Sequence, residues 1–137
     1  TGRIGGRSVR IADGKLDGPA LAAAGEVLYR FGDMELVAVH MAEGVYLRDR
    51  RGRQISQGSL DVPRSFIKSS VGAGDAFCAG LLFGLHEGWD YDRAAHLGTC
   101  TATACLADLT TSGGVLPLKQ ALALGKKYPE STPPVKT

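Results

Sequence analysis

Apolar positions along this chain change period several times, and each change marks an element. In "PALAAAGEVLYRFG", Leu21, Ala24, Val27, Leu28 and Phe31 recur at helical spacing, with Pro19 suited to a first helical position and Gly32 to a stop. The spacing predicts a helix from about Pro19 to Phe31. "MELVAVHM", bounded by Asp33 and by Glu43-Gly44, is a short apolar run with Val37 and Val39 that suits a buried strand. "GVYLRDRRGRQISQGSL" reads as a hairpin: Val45 to Arg48, a polar turn from Asp49 to Gly52, and Gln54 to Leu60 returning, ended by Pro63. Beyond Asp75, Phe77, Leu81 and Leu85 return at helical spacing with Cys78 and Leu82 beside them. Ala76, Ala79, Gly80 and Gly84 leave this helix a small flank for close packing on a sheet. "GWDYD" is a turn, with Asp90 or Asp92 as the cap of a second, buried helix through about Ala107. "TTSGGVLPL" reads as a loop, "LKQALALGKKY" as a short terminal helix, and the proline-rich "PESTPPVKT" as a mobile tail. Residues 1–18 read as loop, with a short strand around Val9 to Ala12.

Composition narrows the class. The 137 residues fit one domain, smaller than most enzymes that bind two substrates. Sixteen Lys and Arg against fourteen Asp and Glu give a net charge of +2, spread along the chain. That indicates neither a nucleic-acid footprint nor a membrane-surface charge. Cys78, Cys100 and Cys105 have no disulfide or zinc-ribbon spacing and read as reduced, buried thiols. With no charged-then-apolar leader or long apolar run, the expectation is a cytoplasmic protein.

The candidate chemistry lies in "SSVGAGDAFCAG". The amides of Gly72, Ala73 and Gly74 come at the start of a helix, where N–H groups lack intrahelical acceptors. Glycine permits positive φ and close approach, so these amides can converge on an anion such as a phosphate. The helix dipole contributes only about 0.3–1 kcal/mol, whereas a pre-aimed donor to developing charge is worth about 2.7–4 kcal/mol. Asp75 beside such a nest would repel the anion unless it faces something else. Facing the hydroxyl of a second substrate, it would orient that group and take its proton late in a phosphoryl transfer. The plain alternative is a helix cap after a glycine turn. A dinucleotide-binding turn fits less well, because the spacing is G-A-G-D-A-F and "SFIKSS" makes a poor buried strand.

"VGAGDAFCAGLLFGLHEGWDYDRAAHLGTCTATACL" resembles the second signature of the ribokinase-like (PfkB) carbohydrate kinases, in which a D-T-x-G-A-G-D segment opens a helix. The resemblance runs from about Leu36 to Pro117, with "AEGVYL" similar to the family's glycine-containing strand pair and "TTSGGVLP" to its loop beside the base. Thr1-Gly2 is similar to the end of the common L-T-G that precedes a helix. The resemblance implies a Rossmann-like, ribokinase-type α/β fold, here the C-terminal part of a three-layer α/β/α domain over residues 1–128. It also implies ATP with Mg²⁺ and a sugar or nucleoside acceptor; a homodimer is compatible with it. Asp75 aligns with the catalytic base and Gly72, Ala73 and Gly74 with the anion hole. Ala42, Glu43 and Gly44 match the nucleotide loop, Thr99 falls where the family often has Asn near adenine, and Gly113 and Gly114 border the base.

The chain departs from the family pattern at several places. Ser69 replaces the Asp of D-T-x-G-A-G-D, which puts potassium activation in question, Met41 replaces the first glycine of the G-x-x-G turn, and Thr99 replaces Asn. The lid, the sugar-binding acids and the magnesium-linked N-x-x-E segment of relatives are not found here, so the chain reads as a C-terminal piece. No acidic metal cage is visible, which leaves Mg²⁺ on ATP phosphates and water. His96 and Cys100, four apart on a helix, read as packing in preference to a metal site; Arg3, Arg7 and Arg10 read as solvated loop, with phosphate contact the alternative. Trp89 reads as an anchor between helices. A catalytically silent nucleotide-binding or interaction module is the competing reading.

Overall fold

The computed structural model describes residues 3–4, 7–10 and 13–137. The chain is an α/β unit whose described strands form a two-stranded and a three-stranded sheet. Two short strands, β1 (Arg3–Ile4) and β2 (Arg7–Ser8), pair antiparallel ahead of helix α1 (Gly18–Tyr29). Strands β3 (Leu36–Met41), β4 (Gly44–Asp49) and β5 (Gln54–Gly58) form an antiparallel meander in the order β3-β4-β5. Helices α2 (Ala73–His86), α3 (Tyr91–Leu106) and α4 (Leu118–Lys127) follow.

The alternation of side chains along β4 makes three layers. Tyr46 points to one face and packs with Leu21 and Ala24 of α1, while Val45 and Leu47 point to the other and pack with Phe77 and Leu81 of α2 and Ala94 and Ala95 of α3. All three β4 residues are fully buried, and burying a Val, Leu or Phe stabilises by about 1.5–3 kcal/mol. The small flank on α2 meets the matching flank of α3: a Cβ on Gly80 would lie 2.9 Å from Gly98 Cα. Thr101 Oγ1 of α3 donates across this seam to the Ala76 carbonyl at 2.7 Å. Asp17 caps α1 by accepting from the Ala20 amide at 3.0 Å, and Asp90 caps α3 by accepting from the Arg93 amide at 2.8 Å.

Several expectations change. The helix expected to reach Phe31 stops at Tyr29, and Phe31 is 80% exposed because it lies beyond the last turn. Strand β3 is only half-buried, with Val37 its one buried residue, because among the described strands it pairs on one side only, with β4. Cys100 and Cys105 are buried, but Cys78 is exposed on the outer face of α2 beside Leu82 and Phe83. The tail expected to be mobile, 129–137, is held at particular points: the Ser131 amide donates to the Ser59 carbonyl at 2.8 Å and Val135 is buried in the α1–β4 cluster, while residues 132, 133, 136 and 137 are exposed. Of the strand expected around Val9 to Ala12, Val9 is in the core and Arg10 bridges to Leu16, while residues 11–12, like 1–2, lie outside the described residues.

Candidate functional site

The glycine turn takes its shape from what stands behind it. Gly72 is the N-cap of α2, with φ at +85°, and a Cβ there would lie 2.1 Å from the Thr111 carbonyl oxygen. Only glycine fits both constraints. The preceding strand of backbone is fastened to the end of α3 by the Lys68 amide, which donates to the Leu106 carbonyl at 2.7 Å. Helix α2 starts at Ala73, earlier than the sequence implied, so Ala73, Gly74 and Asp75 form its first turn. The Ala73 amide donates to the Ser70 carbonyl at 3.3 Å. Among the described residues the amides of Gly72, Gly74 and Asp75 have no acceptor. A Cβ on Gly74 would meet nothing within 4 Å.

Gly74 lines a cavity of about 550 Å³, with Gly72 and Asp75 near it in the chain but outside the lining. Ser70, Ala73 and Gly74 form one end, Thr99, Ala102, Thr103 and Leu106 of α3 one wall, and His40, Met41 and Ala42 of the β3–β4 corner another. Ser59, Leu60, Asp61 and Val62 close the side after β5, with Ile67 and Ser131. The end at Gly74 therefore has an N–H group without a protein acceptor, and the rest is mainly apolar with scattered hydroxyls. That polarity suits a ligand with a phosphate at one end and a flat, partly apolar group at the other.

Of the residues singled out from the sequence, Ala42, Ala73, Gly74 and Thr99 share this cavity. The Thr99 side chain is 4% exposed, and among the described residues its Oγ1 has no hydrogen-bond partner. The others are placed elsewhere. Glu43 is held by Arg10, whose two terminal nitrogens donate to its two carboxylate oxygens at 2.5 and 3.0 Å. That bonding holds the Glu43 carboxyl below its ordinary range. Gly44 serves the sheet, since a Cβ there would lie 2.1 Å from the Gln57 carbonyl oxygen. Gly113 donates its amide to Thr110 Oγ1 at 2.9 Å, and Gly114 is buried against Ala104 and Cys105 of α3. Asp75 is exposed beside Gly74, outside the cavity lining, and has no bonded partner among the described residues.

The cavity also contains residues that the sequence did not single out. His40 stacks on Phe77, with ring centroids 4.1 Å apart and planes 9° from parallel. Burial pushes its imidazole below the ordinary range, so at neutral pH it is uncharged. A polar residue interrupting the apolar run "VAVHMA" was the available signal. Ser59, Asp61 and Ser131 reach the site from two segments far apart in sequence, and no local pattern marks them. His96 and Cys100 do lie together, His96 Nε2 at 3.5 Å from Cys100 Sγ, but Cys100 is fully buried and burial pushes its thiol up to about 11. Among the described residues no three His, Cys, Asp or Glu cluster as a metal site. Trp89 packs edge-on to Phe83, with the Arg93 guanidinium 3.7 Å over its ring. Arg10 is the one of the three N-terminal arginines whose side chain is described, and it serves Glu43 and the Gly14 carbonyl. No described helix is long and apolar enough to cross a membrane.

Solved structures share this fold over part of their length. Ribokinase from Thermotoga maritima superposes with a TM-score of 0.66 at 22% identity, over 76% of this chain and 34% of that one. Phosphofructokinase-2 from Escherichia coli gives 0.65 at 18% identity, over 86% and 35%. Adenosine kinase from Sinorhizobium meliloti gives 0.63 at 26% identity, over 74% and 30%. The chain thus spans about a third of the length of the solved structures it matches and has the fold of part of a ribokinase-like domain. The search of curated proteins returned no match. The profile of the pfkB family carbohydrate kinases matches residues 18–117, most of the chain, and the chain belongs to that family.

Proposed function

We propose that residues 1–128 form the C-terminal, nucleotide-binding part of an ATP-dependent kinase that phosphorylates a hydroxyl of a sugar or nucleoside. The observation that carries this reading is the unpartnered amide of Gly74 in the wall of a cavity of about 550 Å³, with the unpartnered amides of Gly72 and Asp75 near it in the chain; the volume is in the range of small-molecule ligand sites. In this reading the base and ribose of ATP occupy the cavity between the β3–β4 corner and α3, and the phosphates run toward the start of α2. Asp75, outside the cavity and exposed, faces an acceptor arriving from the other side of the glycine turn. The acceptor oxygen forms a bond to the γ-phosphorus as the bridging P–O bond to ADP breaks, and its proton passes to the Asp75 carboxylate. The amides offset the charge gathering on the moving phosphoryl group, which is the larger part of such catalysis. Mg²⁺ bound with ATP would neutralise charge on the phosphate oxygens; this chain's described residues provide no cage for it.

Asp75→Asn tests the role of the acid. In the full-length kinase it is expected to lower turnover by about 10²- to 10⁴-fold while leaving ADP affinity unchanged. Unchanged turnover would remove Asp75 from the chemistry. The position of Asp75 outside the cavity favours a second reading, nucleotide binding without phosphoryl transfer, which predicts ADP binding and no acceptor-dependent ADP release.

A further inference from the structure

We propose that the C-terminal segment 129–135 is a strap belonging to the binding site: it brings Ser131 to the cavity's occupant, and its docking is coupled to occupation of the cavity. The inference rests on the nucleotide reading above.

The strap's path shows why it is part of the wall. The Asp61 amide donates to the Pro129 carbonyl and the Ser131 amide to the Ser59 carbonyl, both at 2.8 Å, so Leu60 and Glu130 pair as an antiparallel bridge. Ser59, Leu60 and Asp61 themselves line the cavity, as does Ser131. Two glycines leave room for the strap: a Cβ on Gly58 would lie 1.9 Å from the Ser131 carbonyl oxygen, and one on Gly18 would lie 2.8 Å from that of Pro134. Further on, the Val135 amide donates to Ser56 Oγ at 3.1 Å, and the Val135 side chain, 7% exposed, fills the cluster between α1 and β4.

A side-chain latch ties the strap to the opposite wall. Glu130 Oε1 lies 2.9 Å from His96 Nδ1, and His96 precedes Thr99 by one turn of α3. The strap thus joins the 59–61 wall to the helix that carries Thr99, Ala102 and Thr103. Among the described residues Ser131 Oγ has no hydrogen-bond partner, which leaves it free to donate to or accept from an occupant. A ligand that touches the docked strap stabilises docking, and docking raises affinity by the same factor.

The test is amide hydrogen exchange and ADP titration on the full chain. ADP is expected to slow exchange at residues 131 and 135 together with the cavity walls. Ser131→Ala is expected to weaken ADP binding about three- to tenfold, as for loss of one hydrogen bond, while exchange of the strap without ADP stays as in the parent. Glu130→Gln is expected to speed exchange of the strap without ADP and to weaken ADP binding as well. Protection by ADP of residues 72–75 and 99–103 with no change at 131 and 135, or parental affinity in both variants, would overturn the proposal and leave the nucleotide reading standing. Absence of any ADP effect across the chain would overturn both.

Discussion

Two glycine-rich turns, 71–74 and 110–114, both resemble parts of a kinase site, the first its anion hole and the second its loop beside the base. In the fold they are used in opposite ways. The second turn folds on itself and is filled: Asp108 Oδ1 accepts from the Thr110 amide at 2.7 Å, Thr110 Oγ1 accepts from Gly113, and Gly114 is pressed against α3, with none of residues 110–114 in the cavity lining. The first turn leads into three amides without acceptors, and one of them, that of Gly74, belongs to a residue lining the cavity. They are also related as support and supported, because the Thr111 carbonyl sits where a Cβ of Gly72 would go. A glycine amide without a protein acceptor therefore marks a binding turn only where open space adjoins it, as at Gly74 and not at Gly114, which is buried against α3.

The contrast can be broken at three positions. Gly72→Ala should have the largest effect, because positive φ costs about 1–2 kcal/mol and the overlap with Thr111 about 1–3 more, together about 2–5 kcal/mol in denaturant unfolding. Gly114→Ala should cost about 1–3 kcal/mol from overpacking alone, with a Cβ placed 2.7 Å from the Ala104 carbonyl oxygen, and should leave ADP affinity unchanged in the folded fraction. Gly74→Ala should sharpen the comparison most. Nothing lies within 4 Å of its Cβ, so stability should hold or rise by up to about 1 kcal/mol. ADP binding should nevertheless weaken about tenfold, because the added methyl enters the open space through which a phosphate would approach the amide and so weakens a hydrogen bond to a charged oxygen. Equal loss of stability and affinity at Gly74 and Gly114 would erase the distinction between the two turns.

Local pattern was enough for much of this fold. The β4–β5 hairpin, the small flank of α2 and the buried α3 follow from periodicity, and the glycine turn follows from composition together with the helix it opens. What was not legible depends on contacts between distant residues. The tail reads as mobile from its prolines, and only the pairing with Ser59 and Asp61 and the room at Gly58 and Gly18 show why it docks. Glu43 carries a motif position, but Arg10 occupies its carboxylate. The cavity draws its wall from the β3–β4 corner, the segment after β5, α3 and the tail, so no contiguous stretch could announce it.

The central claim is that the amides opening α2 hold the phosphates of a nucleotide. Backbone ¹⁵N–¹H spectra recorded during ADP titration address it directly. The Gly72, Gly74 and Asp75 resonances are expected to move the most, their protons shifting downfield, while those of Gly113 and Gly114 move little. Saturable ADP binding that leaves the 72–75 amides in place would contradict it.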